Sequence, residues 1–397
     1  MTRIRFWNTV GMIVLGAAVL RAVPPPAGAT QAGGGRSTTD AALAMANLEG
    51  SIQSLDQRLQ TGSAPPTRRA ELAELLMIRA QFLGRLSDTE RAGAIAETLV
   101  GEAPRSGALL LLRGRTRAAL HVFQAALRDF EAAGPAGADG NAVSGAKASV
   151  LQALGRVDEA LPIRMALAQA KPDILSLGSL AVAQGEGGDL QAASETFRRA
   201  ERAYRDVSPF PLAWIHFQEG KLYFAAGHFE RARALFAAAV DQLPTYWAAV
   251  GHLGEAEAAL GRTTEAAERL RSVAESTEDP DSEGQLCRVL AQRGSVQEAE
   301  SCRGRVTARY ESLLKRHPEA FWDHAAEFFL AMGETQRALG LARRNLALRP
   351  TRAAFDLFAK AAAAGGASEE ASTVAQQRAR LAGRHSPGIR ARLAASS

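Results

Sequence analysis

The chain has 397 residues, 47% of them hydrophobic and only 6% aromatic, enough for a folded protein and, on length alone, for two or three domains. Its formal charge of +5 includes Arg3, Arg5 and Arg21, and without those three N-terminal residues 44 basic side chains face 42 acidic ones. The arginines are scattered among Glu and Asp and form no basic stripe, so the sequence argues against a nucleic-acid partner.

Met1–Thr9 is short and basic, Val10–Leu20 is an 11-residue apolar run, and Ala27-Gly28-Ala29 offers the small-x-small pattern of a cleavage site. These features predict a signal peptide over residues 1–29, cleaved after Ala29. An uncleaved anchor is the other reading, but a span takes roughly 20 apolar residues and Arg21 ends this run early. No Cys follows the run, so no lipoprotein anchor is expected, and Arg3-Ile-Arg5 is not a twin-arginine pair. The predicted location is periplasmic or secreted, with no membrane span after cleavage. Residues 30–39 are rich in Gly, Ser and Thr and read as a flexible linker. Asp40–Gln60 predicts one helix, N-capped by Thr39 or Asp40, and the run from Thr61 to Pro66 breaks it.

Beyond that break the sequence repeats. The stretches Gly227–Pro244 and Gly333–Pro350 align: each glycine is followed five residues later by alanine (Ala232, Ala338) and twelve after that by proline. Extending the register gives nine units, starting near Ala73, Gly107, Asn141, Ile174, Ala213, Trp247, Pro280, Glu319 and Arg352. The twentieth residue of every unit is alanine, which set the frame. Independently of that choice, the eighth is always small (Ala80, Gly114, Ala148, Ala181, Gly220, Gly254, Cys287, Ala326, Ala359). The fifteenth is glycine in seven of nine units.

This pattern resembles the tetratricopeptide repeat, a hairpin of about 34 residues, over roughly three-quarters of the chain. The resemblance implies an all-α, right-handed superhelical solenoid of about nine helical hairpins over residues 67–385, followed by a loose tail over 386–397. Small residues at positions 8 and 20 let the two helices of a hairpin approach. Glycine at 15 ends the first helix in a left-handed conformation. Larger residues at 24, such as Phe130, Phe197, Phe236 and Leu270, are expected to pack against the next unit. Two units depart from the period at 39 residues, one with an insertion near Asp206–Pro211 and one with a lengthened second helix through Leu314. Arg164 and Arg303 stand at position 24, where an apolar residue is expected.

The family's binding surface is the concave groove lined by the first helices. Mapped here, that groove is expected to present Arg115, Ser149, Trp214, Phe217, Lys221, Phe224, Glu255, Arg288, Asp323 and Glu327. Aromatic groove residues suit an apolar anchor of a partner; the competing reading packs Trp214 and Phe217 against the Pro209–Pro211 insertion. Cys287 and Cys302, at positions 8 and 23 of one unit, can face each other across a hairpin. An exported protein would join them in a disulfide, worth on the order of 3 kcal/mol for a loop of about 15 residues. Two separate thiols or a metal pair without further ligands are the alternatives. His317 and His324 with Asp323 and Glu327 form a conceivable metal cluster, but a solvated helix face is the commoner meaning, and no metal site is expected. Gly185–Gly188 lacks a preceding strand and reads as a turn, not a nucleotide loop. No catalytic motif or cofactor site is found. The sequence therefore predicts a non-catalytic scaffold or adaptor that binds a protein or peptide in the cell envelope or outside the cell. The second hypothesis is a metal- or small-solute-binding accessory of an envelope transport system.

Overall fold

The computed structural model describes residues 38–62, 65–367 and 369–378. The expected signal segment 1–29 and the tail 386–397 lie outside the described residues, as does the expected linker up to residue 37. The last two linker residues are held on the array. Thr39 N–H donates to the Val207 carbonyl at 2.7 Å, and Gln242 Nε2 donates to Thr38 Oγ1 at 2.6 Å.

Among the described residues there is no strand, and the chain is an all-α repeat solenoid. Helix α1 (Ala41–Gln60) begins on Asp40, whose Oδ1 accepts from the Leu43 amide at 3.1 Å and satisfies a donor the first turn leaves unpaired. Hairpins follow. Their first helices are α2 (Pro66–Leu83), α4 (Gly107–Ala119), α6 (Gly140–Ala153), α8 (Ile174–Glu186), α10 (Pro209–Ala225), α12 (Trp247–Ala259), α14 (Asp281–Gln292), α16 (Pro318–Ala331) and α18 (Arg352–Ala364). The second helices are α3 (Leu86–Glu102), α5 (Phe123–Ala133), α7 (Val157–Ala170), α9 (Leu190–Ala203), α11 (Phe229–Gln242), α13 (Thr263–Ser276), α15 (Val296–Arg316) and α17 (Thr335–Leu348). Residues 369–378 are also helical.

The repeat's small residues do what close packing demands. Ala126, Ala160, Ala193, Ala232, Ala266 and Ala338 have no exposed surface. All seven position-15 glycines, from Gly155 to Gly366, carry φ between 73° and 96°, which a side chain resists. The residue at position 24 covers position 8 of its own hairpin as well as reaching the next unit, where Phe236 meets His252 at 5.4 Å between ring centroids. A β-carbon on Gly114 would stand 2.4 Å from the Phe130 ring, and one on Gly220 would stand 2.6 Å from Phe236. Arg164 avoids an apolar contact by turning to Gln152 Oε1 (2.8 Å) and Ser149 Oγ (2.7 Å).

The coil closes on itself. Residues about one superhelical turn apart meet, and Phe82 of α2 packs on Phe210 of α10 and on Tyr246, each at 4.8 Å between ring centroids. The Trp247 indole N–H donates to the Gln81 carbonyl at 3.1 Å. The Gly84 carbonyl accepts from Thr277 Oγ1 at 3.1 Å and from the Glu278 amide at 2.9 Å, while the Glu278 carboxylate accepts from the Ser87 amide and hydroxyl, each at 2.7 Å. Further on, Glu90 meets Arg316 at 2.5 Å and His317 at 2.6 Å. Both irregular units serve this contact. The insertion at Asp206–Pro211 lengthens α10 at its N-terminus and carries Phe210. The lengthened α15 delivers Arg316 and His317 to Glu90.

Cys287 of α14 and Cys302 of α15 form a buried disulfide with their Cα atoms 5.5 Å apart, so the thiol and metal-pair alternatives fall away. Replacing both by serine should lower stability by about 3 kcal/mol for a loop of 15 residues, measured by denaturant unfolding under non-reducing conditions. Two free thiols in denatured, unreduced protein would contradict the bridge. Gly84 combines φ 65° with a place where a β-carbon would lie 2.1 Å from Thr277 Oγ1. Gly84→Ala should therefore cost about 3 kcal/mol. Gly50, helical and open on all sides, should gain up to about 1 kcal/mol on the same change. Equal effects at the two glycines in urea titrations would refute the tight approach.

Candidate functional site

Closure turns the inner face of the coil into a pocket of about 260 Å³. Its walls come from the first helices of several units and from two loops. Helix α2 supplies Met77 and Gln81, α10 supplies Phe217 and Lys221, and Tyr246 leads into α12, which supplies Trp247 and His252. Asp279 lies in the α13–α14 loop, Asp281 and Ser282 open α14, and Phe321 and His324 project from α16. His121 comes from the α4–α5 turn.

One side is aromatic and cationic. Lys221 Nζ stands 5.4 Å from the centre of the Phe217 ring, and Phe217 stacks on His252 at 5.2 Å. Burial holds the Lys221 ammonium down to about 8, with Glu186 partly offsetting it. Burial, and then Lys221 and His324, hold His252 down to about 3, so its ring is neutral. The opposite side is acidic. The Asp281 amide donates to Asp279 Oδ1 at 2.9 Å, and burial pushes the Asp279 carboxyl up. His324 Nδ1 lies 3.9 Å from Asp281 Oδ1. Burial opposes its charge, but Asp323 and Asp281 outweigh burial and lift it to about 10.

Of the residues expected to line the groove, Phe217 and Lys221 line the pocket. Trp214 does not: it has no exposed surface, and a β-carbon on Gly178 would stand 2.7 Å from its ring. Packing into the core against α8 removes it as a partner anchor. Phe224 is likewise buried, edge-on to Phe229 at 5.3 Å. Ser149 is taken by Arg164. Arg115 pairs with Glu74 at 3.7 Å, outside the pocket lining. Glu255 is buried between Arg288 at 3.8 Å and His252 at 3.6 Å. Asp323 is buried on Arg349 at 2.7 Å, and Glu327 follows it one turn along α16. The metal cluster does not assemble, because His317 turns to Glu90 while His324 turns to Asp281. Among the described residues no three His, Cys, Asp or Glu side chains converge as a metal would need.

Tyr246, Trp247, Asp279, Asp281 and His121 line the pocket without having been expected there. His121 alone had a legible signal, since it occupies the position that is glycine in seven other units. Its φ is 59°, the only positive value at a non-glycine among the described residues. Such strain persists only where the surroundings hold it. The ring stacks on Phe123 at 5.0 Å, and Nδ1 lies 3.2 Å from the Glu319 carbonyl oxygen and 3.4 Å from Arg349 Nη1.

Residues 217–283 match the model of the tetratricopeptide repeat family. That stretch carries the tetratricopeptide repeat. Solved structures of other repeat proteins are similar at low identity. They include TTC0263, a tetratricopeptide-repeat protein of the thermophile Thermus thermophilus (16% identity over 48% of this chain and 98% of that one, TM-score 0.41). A tetratricopeptide repeat protein of Parabacteroides merdae is 13% identical over 79% of this chain and 98% of its own, with TM-score 0.38. The Cut9–Hcn1 hetero-tetramer of APC/C gives 14% over 87% and 71%, with TM-score 0.47. No curated protein matches the chain.

The pocket yields a pH prediction. Burial first, and then Arg349, hold His121 down to about 3, below the 6.5 of an ordinary histidine. Neutral His121 therefore contributes fully above about pH 6.5, and that contribution is lost as the pH falls towards 3. His121→Asn keeps a residue that tolerates positive φ and removes the titration. Its stability should fall less steeply between about pH 6 and 4, by about 1.4 kcal/mol per pH unit for one proton. Parallel denaturation-versus-pH curves for the two proteins would rule this out.

Proposed function

We propose that this tetratricopeptide-repeat protein is a non-catalytic scaffold, exported to the cell envelope or beyond, that holds a protein or peptide partner on the inner face of its coil. Proteins of this repeat family bind protein or peptide partners, which sets the class. The observation that carries the reading is the pocket itself: Phe217, Lys221, Tyr246 and Trp247 converge where first helices meet, so a partner has both apolar and charged points to grip. The basic, apolar and small-residue sequence of 1–29 supports export. So does the disulfide, a bond that persists in oxidising compartments. Among the described residues no helix is long and apolar enough to cross a membrane.

The small-solute half of the second hypothesis keeps one support, since a pocket of about 260 Å³ suits something small. The metal half has no converging ligand set to stand on.

The scaffold reading is tested by affinity capture from an envelope extract with the chain from residue 30 onward. Lys221→Glu combined with Arg85→Glu reverses charge on the pocket lining. Recovery of the principal wild-type partner should drop about tenfold, while Arg198→Glu on exposed α9 leaves it unchanged. Identical recoveries from all three proteins would exclude the inner face as the docking surface.

A further inference from the structure

A smaller cavity lies where three successive first helices meet, and it shares no lining residue with the larger pocket. It holds about 10 Å³, the room of a single water-sized sphere, and its walls are mostly polar. Helix α6 supplies Ser149 and Gln152, α7 supplies Arg164, α8 supplies Ser179, and α10 supplies Trp214 and Gln218. Each of these residues is more than nine-tenths buried.

Two features of the walls call for an occupant. The Trp214 indole Nε1–H is buried and has no hydrogen-bond partner, a rare and destabilising state for a donor. Arg164 is buried on neutral partners, Gln152 Oε1 at 2.8 Å and Ser149 Oγ at 2.7 Å, with no carboxylate in ion-pair contact among the described residues. The carboxylate that offsets it from a distance is Glu186, which accepts from Gln152 Nε2 at 3.0 Å. The same Glu186 also offsets the Lys221 ammonium. Two cations thus lean on one carboxylate, and the cavity side keeps positive charge. The groups left for an occupant also have one sign. The Ser149 and Ser179 hydroxyls donate to the Gly145 and Leu175 carbonyls of their own helices. Indole and guanidinium are donors without acceptor character, and the Gln218 amide can present its NH2 by a flip.

We propose that this cavity binds one small monovalent anion of chloride size, held by the Arg164 guanidinium, the Trp214 indole N–H and the Gln218 amide. A water would fit the volume, but its protons would face donors and it would leave the charge of Arg164 unbalanced. The ion would tie three consecutive hairpins together through α6, α8 and α10. The inference rests on this cavity and not on the scaffold reading, so a failed capture experiment and a failed anion measurement are separate results.

The test joins anomalous diffraction to thermal melting of the full chain. Crystals soaked in bromide should show an anomalous peak between Arg164 and Trp214. In solution, chloride replaces gluconate at constant ionic strength, and the melting midpoint should rise with the logarithm of chloride concentration. Bulk salt effects act alike on wild type and variants, so the response is read as the difference between them. Trp214→Phe keeps an aromatic ring and removes the donor. It should weaken the apparent chloride affinity about tenfold, the worth of one hydrogen bond to a charged group. Arg164→Gln should abolish the response, whereas Arg198→Glu on exposed α9 leaves it intact. The diffraction arm uses unaltered protein, so a variant that fails to fold does not decide the matter. Absence of an anomalous peak in the cavity, or a peak without anomalous signal that marks a water, would overturn the assignment. So would chloride responses in Trp214→Phe and Arg164→Gln equal to that of the wild type.

Discussion

The approach of one superhelical turn to the next at Gly84 governs the rest of this structure. The backbone there is left-handed, φ 65°, and its carbonyl accepts from both Thr277 and Glu278 of a loop five units further along the coil. A side chain would strike Thr277 and the Trp247 ring. An open repeat array has a groove whose width is set only by the small rotation between neighbours. Here a second constraint is added, because non-neighbouring units touch. The inner face is therefore a pocket of defined size rather than a channel.

Both departures from the repeat length gain a meaning from this contact. Extra residues that start α10 bring Phe210 against Phe82, and extra residues that end α15 bring Arg316 and His317 to Glu90. Inserted residues in a solenoid alter one unit without disturbing the interfaces of the others, since stability is close to a sum over neighbours. That freedom lets two insertions, about 100 residues apart in sequence, build one closure.

The hairpins were legible in the sequence because their determinants are local. A glycine that must take positive φ and an alanine that must admit a neighbouring helix recur at fixed spacing, and Gly155 through Gly366 adopt the conformation expected of them. The pocket was only half legible. Phe217 and Lys221 follow from position within a unit, but Tyr246, Trp247 and Asp279 line it through the approach of α2, which no within-unit spacing encodes. Trp214 failed for a related reason. Its position in the unit points inward, yet a second neighbour, Gly178 of α8, is small enough to receive the ring, and burial of an indole on a glycine outweighs exposure in a groove. His121 shows that a broken rule carries information, since a histidine where seven units hold glycine sits at the junction of turns.

The same junction holds an unusual density of buried charge for an alanine-rich repeat. Arg349 is 1% exposed and reaches Asp323 and Asn345 Oδ1, each at 2.7 Å, beside His121. Burial disfavours the Asp323 carboxylate, yet Arg349 and His324 hold it well below the usual carboxylate range. Such a network adds little net stability over an apolar core, so its value here lies in register. Apolar faces of successive turns could slide past one another by a helix turn, whereas Arg349, Asp323 and His121 can all be satisfied in only one alignment. His324 then joins that network to Asp281 on the pocket wall. Closure of the coil and the charge of its interior are consequently parts of one electrostatic unit. Anything that binds only the closed form must, by mass action, also hold the two turns together.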